Sequence, residues 1–214
     1  MNTDDLIQQL SKSTPTQPKL LGVRPLLLIV FSGITLYLLV LQSWIGLRED
    51  LLIQLARPAF SLEIALMIML LISGVFASVL SRYPDNYQYQ YILYIPYTIF
   101  VLLLLWLIVQ IVVPSAMPTG ELRFIHHHFN CTLWITGSTV FSAFILMWTI
   151  RFGATVTPRH SAALSVLAAT AVGCLTLRLS EMNDSISHLL LTHYIPSFLF
   201  AVLGAILGKR LFKW

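Results

Sequence analysis

Six long runs of apolar residues constrain this sequence more than any other feature, because each is about as long as a helix that crosses a bilayer. The runs cover approximately residues 25–44, 59–80, 91–113, 131–150, 161–179 and 189–212. Only 10% of the 214 residues are charged, whereas a water-soluble domain carries roughly 25% charged residues. The composition therefore excludes both an ordinary soluble domain and a disordered chain.

The runs predict helices, because they show no strict alternation of apolar and polar residues and the bilayer offers backbone groups no water. The predicted fold class is an all-α membrane protein, a bundle of six transmembrane helices in contact with the lipid bilayer. No stretch outside the runs reaches 40 residues, which leaves no room for a separate soluble domain. We therefore divide the chain into an N-terminal segment, residues 1–23, and a six-helix transmembrane domain, residues 24–214.

The distribution of Lys and Arg predicts the orientation of the bundle. Six spans put both termini on one side, and that side carries nine of the 13 basic residues. Because short cytoplasmic loops hold the excess of Lys and Arg, we expect both termini in the cytoplasm. The net charge of +4 then reflects topology and anionic lipid, and it predicts no direct binding of nucleic acid. The nine are Lys12, Lys19, Arg24, Arg82, Arg151, Arg159, Lys209, Arg210 and Lys213, and the other four are Arg48, Arg57, Arg123 and Arg178.

The N-terminal segment shows the pattern of a short amphipathic helix followed by a Pro-containing linker. Thr3 can cap the first turn, and Asp4 and Asp5 occupy positions where the helix dipole favours negative charge. The apolar side chains on one face are those of Leu6, Ile7 and Leu10. So short a helix is marginal alone, so it either docks in a groove of a partner protein or frays and rests on the lipid surface.

A cluster of histidines and a cysteine lies at the start of the fourth run. Its members are His126, His127, His128 and Cys131. Imidazole and thiolate are good ligands for zinc, cadmium and related ions, and His188 ahead of the sixth run could join them if two connections meet. Alternatively these are polar residues at the bilayer interface, since three consecutive histidines point in different directions. His188 and His193 are five residues apart, a spacing that a regular α-helix does not place on one face.

Glu63 is the only acidic residue inside the six runs. A bare carboxylate there costs about a few kcal/mol, so Glu63 should be protonated, reach toward the interface, or find a partner. We favour a structural ion pair with Arg178, which would join the second run to the fifth, and Arg57 is the local alternative. A proton or ion pathway is the remaining alternative, but transporters need several polar groups near the bilayer midplane.

Small residues mark a helix-packing face in the sixth run. Gly204 and Gly208 are four residues apart, and this spacing lets two helices approach closely. We interpret the pair as a packing surface inside the bundle, and a homodimer interface is the alternative.

Five short motifs occur in a fixed order along nearly the whole chain. They are Thr3-Asp4-Asp5-Leu6-Ile7; Gly46-Leu47-Arg48-Glu49-Asp50-Leu51; Arg151-Phe152-Gly153-Ala154 with Pro158; His188-Leu189-Leu190-Leu191 with His193; and Gly204-Ala205-Ile206-Leu207-Gly208-Lys209-Arg210. In this respect the sequence resembles the NrsF family of anti-sigma factors, six-span proteins of the bacterial cell inner membrane. The resemblance implies that the N-terminal segment binds an extracytoplasmic-function sigma factor, keeps it from core RNA polymerase, and releases it under envelope, metal or oxidative stress.

The resemblance also bears on the stress sensor. Members of the family carry two outer cysteines, one before the fourth span and one after the fifth. Cys131 matches the first position, whereas Ser180 stands at the second, and serine cannot form a disulfide. A two-thiol switch is therefore not expected, and Cys174, inside the fifth run, is expected to pack as an apolar side chain. No cofactor is required, and the candidate ligand is a zinc- or cadmium-type ion at the outer face.

The sequence leaves two other functional classes open: a small metal or solute transporter, and a membrane thiol redox protein. Uptake into vesicles would support the first, and thiol turnover that depends on Cys131 and Cys174 would support the second. We expect no enzyme, because the sequence has no Gly-x-Ser-x-Gly turn, no His-Glu-x-x-His and no glycine-rich phosphate loop.

Overall fold

A computed structural model describes residues 21–113 and 128–212 together with Asp5, with side chains from residue 131 onward in the second range. These residues form six helices long and apolar enough to cross a membrane, and no strand occurs among them. The structure thus confirms the all-α class with six candidate spans. The helices are α1 Val23–Ile45, α2 Pro58–Leu80, α3 Gln90–Val112, α4 His128–Arg151, α5 Pro158–Ser180 and α6 Ile186–Leu211.

Proline explains where two helices begin. Pro58 and Pro158 are the first residues of α2 and α5, one and three residues ahead of the predicted runs. A proline fits the first turn of a helix, because its missing N–H would have no partner there and its φ is already helical. A short helix, Leu51–Leu55, precedes α2, and a 3₁₀ turn, Pro84–Tyr89, precedes α3.

The fifth helix is the centre of the bundle. Every residue of α5 from Ser161 to Arg178 is buried, and the helix contacts α1, α2, α3, α4 and α6. Alanine, glycine, serine, threonine and cysteine together make up 11 of these 18 residues, and small side chains allow neighbouring helices to approach closely. By contrast, only 22% of the most apolar 18-residue stretch is buried in each of the spans that contain α1 and α3. Most of their large apolar side chains therefore face outward.

The alternating direction of the helices gives the bundle two ends. We call the end where α1 begins and α6 ends the terminal end. The opposite end carries residues 46–57 and 181–188, and we call it the distal end. At the terminal end the Ala154 N–H donates to the carbonyl oxygen of Arg82 at 2.9 Å. A Cβ on Gly153 would collide with that carbonyl, so only glycine allows this approach.

Gly204 and Gly208 pack α6 against α5 within the same chain. A Cβ on Gly204 would lie 2.7 Å from Val166 Cγ2 and 3.1 Å from the Ala162 carbonyl oxygen. A Cβ on Gly208 would collide with the Pro158 carbonyl oxygen and lie 2.9 Å from Ala162 Cβ. Both contacts involve backbone atoms, which cannot swing aside, so this pair of glycines fixes the rotation of α6 against α5.

The glycine contact gives a direct stability prediction. Gly208→Ala should destabilise the bundle by about 1–3 kcal/mol, because the added methyl group overpacks the interface. Gly33→Ala is the matched control, since a Cβ on Gly33 meets nothing within 4 Å and alanine favours a helix by about 1 kcal/mol. Thermal unfolding in detergent should show a lower midpoint for Gly208→Ala alone; equal midpoints would contradict the packing argument.

Candidate functional site

A buried ion-pair network, which we call the distal clamp, occupies the distal end. At its centre lies Arg178, whose side chain is 1% exposed and faces Glu63, which is 0% exposed. The Nε and Nη2 atoms of Arg178 each donate to Glu63 Oε2 at 3.1 Å, and Tyr194 Oη donates to Glu63 Oε1 at 2.6 Å. Both carboxylate oxygens are therefore satisfied, as a buried charge requires. The exposed Arg57 does not provide this contact.

The clamp extends to the two distal connections through Asp184 and Arg48. Arg178 Nη1 donates to Asp184 Oδ1, and Arg48 Nη1 and Nη2 donate to the two oxygens of the same carboxylate at 3.0 Å. Arg48 also forms a bidentate pair with Asp50, at 2.6 and 2.9 Å, and its backbone N–H donates to the Leu179 carbonyl oxygen at 3.0 Å. Residues 46–57 and 181–188 are thus held together.

Aromatic and electrostatic contacts complete the clamp. The Phe60 ring lies 5.4 Å from the guanidinium carbon of Arg48 and 4.7 Å from that of Arg178, within cation–π range. The hydrogen bonds from Arg48 hold the pKa of Asp50 well below its usual range. Burial alone would raise the pKa of Asp184, but the hydrogen bonds from Arg48 and the charge of Arg178 outweigh it and lower that pKa. Both acids are therefore ionised at neutral pH.

A second group of polar side chains lies beside the clamp, and we call it the Cys–His site: Cys131, Glu181, His188 and His193. Glu181 Oε1 accepts a hydrogen bond from Cys131 Sγ at 3.4 Å and lies 2.8 Å from His188 Nε2. Glu181 Oε2 lies 3.5 Å from His193 Nε2. Burial would raise the pKa of Glu181, but the contacts with His188 and then His193 outweigh it and lower that pKa.

The two histidines meet because α6 contains a π turn. Residues Leu189–Tyr194 form the wide turn, and the Ile195 N–H donates to the Leu190 carbonyl oxygen, five residues earlier. Residues five apart share a face in such a turn, and the rings of His188 and His193 are 5.5 Å apart. The expectation that their spacing separates them was wrong, because it assumed a regular α-helix.

Three side chains of the Cys–His site are placed as metal ligands would be. The ligand atoms of Cys131, Glu181 and His188 all lie within 4.8 Å of one another. Thiolate, carboxylate and imidazole together suit zinc and cadmium-type ions. The His193 side chain is fully buried, and neither ring nitrogen has a hydrogen-bond partner among the described residues. His193 therefore adds a buried imidazole to this site.

The structure brings together only some of the residues singled out from the sequence. Cys131 meets His188, and Glu181 joins them, whereas Ser180 points elsewhere: its hydroxyl accepts a hydrogen bond from Gln42 at 2.7 Å. The side chains of the triple histidine and residues 1–20 other than Asp5 lie outside the described part of the chain, and Asp5 is an exposed helical residue. The undescribed candidates are Thr3, Asp4, Leu6, Ile7, Leu10, His126, His127 and the side chain of His128.

Cys174 packs inside the bundle, as expected, and Glu181 is an addition to the Cys–His site. Cys174 is 4% exposed, and its Sγ lies 3.3 Å from Ser197 Oγ, between α5 and α6. The sequence places Glu181 at the outer face with His188 but does not make it the partner of Cys131, because Glu181 follows the end of α5 and a sequence does not show which way a residue beyond a helix turns.

Comparison with known proteins gives a match to a protein family. The family model NrsF, described as negative regulator of sigma F, matches residues 10–214. Neither the curated proteins nor the solved structures contain a significant match. The matched residues include all six helices and both distal connections.

The distal clamp predicts that substitution of Arg178 destabilises the protein far more than substitution of an exposed arginine. Arg178→Leu should destabilise the protein by about 3–5 kcal/mol, because it leaves the Glu63 carboxylate buried without its counter-charge. Arg57→Leu is the matched control and should change stability little, since Arg57 is exposed. Adding Glu63→Leu to Arg178→Leu should recover part of the loss. Unfolding in detergent measures all three variants, and an equal loss for both arginines would refute the clamp.

Proposed function

Because the chain belongs to the NrsF family of negative regulators of sigma F, we propose that it is an anti-sigma factor of the bacterial inner membrane. Its partner is an extracytoplasmic-function sigma factor. The observation that carries the proposal is the family match over residues 10–214, on a chain with six helices that could span a membrane. An anchored protein that holds a sigma factor at the bilayer keeps it away from core RNA polymerase, which accounts for negative regulation without any catalytic step.

The placement of the basic side chains supports termini in the cytoplasm. Among the described residues, five basic side chains are exposed at the terminal end. Arg48 and Arg178 are buried in ion pairs at the distal end, so among the described residues Arg57 is the exposed arginine of that end. The excess of exposed positive charge at the terminal end is thus greater than the count of all basic residues, nine against four, indicates. The five are Arg24, Arg151, Arg159, Lys209 and Arg210.

The N-terminal segment is the part of the chain that we assign to the sigma factor. It leaves the bundle at Leu21, whose carbonyl oxygen accepts a hydrogen bond from Tyr83 Oη at 2.5 Å, so its point of attachment is fixed. Leu6, Ile7 and Leu10 would enter an apolar groove of the partner. Thr3, Asp4 and Asp5 precede them, and the two acids would meet basic residues beside that groove.

Charge introduced into the apolar face tests this assignment. Leu6→Asp with Leu10→Asp should reduce co-purification of the sigma factor from membranes by at least about tenfold, which corresponds to about 1.4 kcal/mol of binding energy. Gln8→Asp with Gln9→Asp is the matched control, because it adds the same two charges outside the apolar set. Undiminished binding by the leucine variant, or an equal loss in the glutamine variant, would sink the idea.

We further propose that the Cys–His site receives the inducing signal. Cys131, Glu181 and His188 would bind a zinc- or cadmium-type ion at the outer face, and the histidines at 126–128 are additional candidates. The support is the convergence of the three ligand atoms within 4.8 Å. A bound ion releases the sigma factor only if it favours one packing of the helices over another, because a ligand with equal affinity for both shifts nothing.

Metal binding can be measured directly on the purified protein. Cys131→Ser should weaken binding of cadmium or zinc in detergent by at least about tenfold, since a hydroxyl is a poor ligand for such ions. Cys174→Ser is the matched control, because Cys174 is buried between α5 and α6. If both variants bind as the unaltered protein does, Cys131 is not a ligand. A variant with alanine at His126, His127 and His128 separately tests the triple histidine.

A further inference from the structure

The π turn at Leu189–Tyr194 joins two parts of α6 that are each fixed by different contacts. Such a turn holds one residue more than an α-helical turn and is rare, occurring mostly as a single turn within an α-helix and frequently at a functional site. The part of α6 toward the distal end faces the Cys–His site and the clamp. The other part, Ile195–Leu211, packs on α5. The rotational positions of the two parts therefore depend on the turn.

On the distal side, Glu181 and Glu63 hold the π turn. Glu181 contacts both His188 at 2.8 Å and His193 at 3.5 Å. Tyr194 donates to Glu63 at 2.6 Å. In a continuous α-helix of the same sequence, His188 and His193 would be about 140° apart around the axis. They could not then both face the Glu181 carboxylate, so this double contact exists only in the π register.

On the side of the terminal end, the contacts of Gly204 and Gly208 with α5 hold Ile195–Leu211, the part of α6 that follows the π turn. Gly204 and Gly208 face Ala162, Val166 and Pro158 of α5 so closely that no side chain fits. The residues that precede them do not substitute, because Leu203 and Leu207 are large and are exposed on the outer surface. The extra residue of the π turn lets the histidine contact and the glycine contact exist at the same time.

We propose that the π turn is a register switch that couples the Cys–His site to the terminal end of α6. Loss of the Glu181 contacts lets the turn relax into an α-helix. The residues that follow the turn then rotate by about 100° around the helix axis and advance by about 1.5 Å along it, which are the rotation and rise of one α-helical residue. Gly204 and Gly208 leave α5, larger side chains replace them, and the helix end with Lys209 and Arg210 moves.

The contact between Glu181 and His193, which holds the π turn, is weak. His193 is fully buried, its 3.5 Å contact with Glu181 is longer than a good hydrogen bond, and neither ring nitrogen has another partner among the described residues. Glu181 also faces Cys131 and His188. Any ligand that draws the carboxylate toward those two groups withdraws it from His193, so competition for Glu181 operates the switch. Its use in releasing a sigma factor rests on the proposed function.

The first measurement is hydrogen exchange of the full chain in lipid nanodiscs, with no sigma factor and no added metal. His193→Phe removes the contact with Glu181 while filling a similar volume. We expect the amides of residues 200–208 to exchange at least about tenfold faster than in the unaltered protein, with α3 unchanged as an internal reference. Unchanged exchange at residues 200–208 would overturn the proposal.

The second measurement distinguishes a register switch from simple damage. Deletion of Leu191, whose side chain is 49% exposed, removes the extra residue and lets a regular α-helix satisfy both ends of α6. The deletion in the His193→Phe background should restore protection at residues 200–208. Leu191→Ala in that background keeps the chain length and should not. Failure of the deletion to restore protection, or restoration by Leu191→Ala, overturns the proposal.

Two further comparisons keep the outcome decisive. If His193→Phe does not yield a monodisperse helical protein, Glu181→Gln replaces it in the same set, because Glu181 is part-exposed and glutamine has the same shape. The same variants are then assayed for sigma factor binding. Rescued exchange with unchanged sigma binding supports the switch and contradicts its proposed use, whereas absent rescue overturns the switch whatever the sigma factor does.

Discussion

The guanidinium of Arg178 is the charge on which the distal end depends. It lies on the central helix with 1% of its side chain exposed, and it is neutralised by Glu63 from α2 and Asp184 from the connection to α6. A buried charge in a bundle of this kind is tolerable only with partners in place. The second arginine, Arg48, shares Asp184, so one carboxylate joins the first connection, the fifth helix and the sixth. The position of both distal connections follows from this requirement.

The core of the bundle follows from side-chain size more than from hydropathy. In lipid, apolar helices gain nothing from hiding from water, and close packing of small residues drives their association. The run richest in alanine and small polar residues, α5, is accordingly buried along its whole length from Ser161 to Arg178. The most apolar span, which includes α3, has a window only 22% buried. The sequence therefore predicts the centre of the fold through its small residues, and Gly204 and Gly208 extend the same principle to α6.

Other features required three-dimensional information that composition and spacing do not hold. Six helices could be predicted from run lengths, and a partner for Glu63 could be predicted from the cost of a bare carboxylate. The pair of Glu63 with Arg178, favoured from the sequence over Arg57, is the one that the structure contains. Residue spacing does not reveal the π turn, although Pro196, which follows it, cannot donate to the Thr192 carbonyl oxygen as a regular α-helix requires. The meeting of His188 with His193 follows from that turn. The convergence of Cys131 with Glu181 depends on the path of residues 181–185, which no helical period governs.

The spacing between Glu181 and Asp184 explains how a change at the Cys–His site can be directed down one helix. Asp184 is held by two arginines and therefore keeps its end of the connection in place. Glu181, three residues earlier, faces a thiol and two imidazoles, and one of these contacts is long. A rearrangement of the Glu181 carboxylate thus cannot be absorbed by moving the connection or α5, which the clamp immobilises. The movable element that remains is α6 from the π turn onward, because the register of the helix is set at that turn. A rigid clamp beside a loosely held site is the arrangement needed to convert a local change in ligands into rotation of a helix.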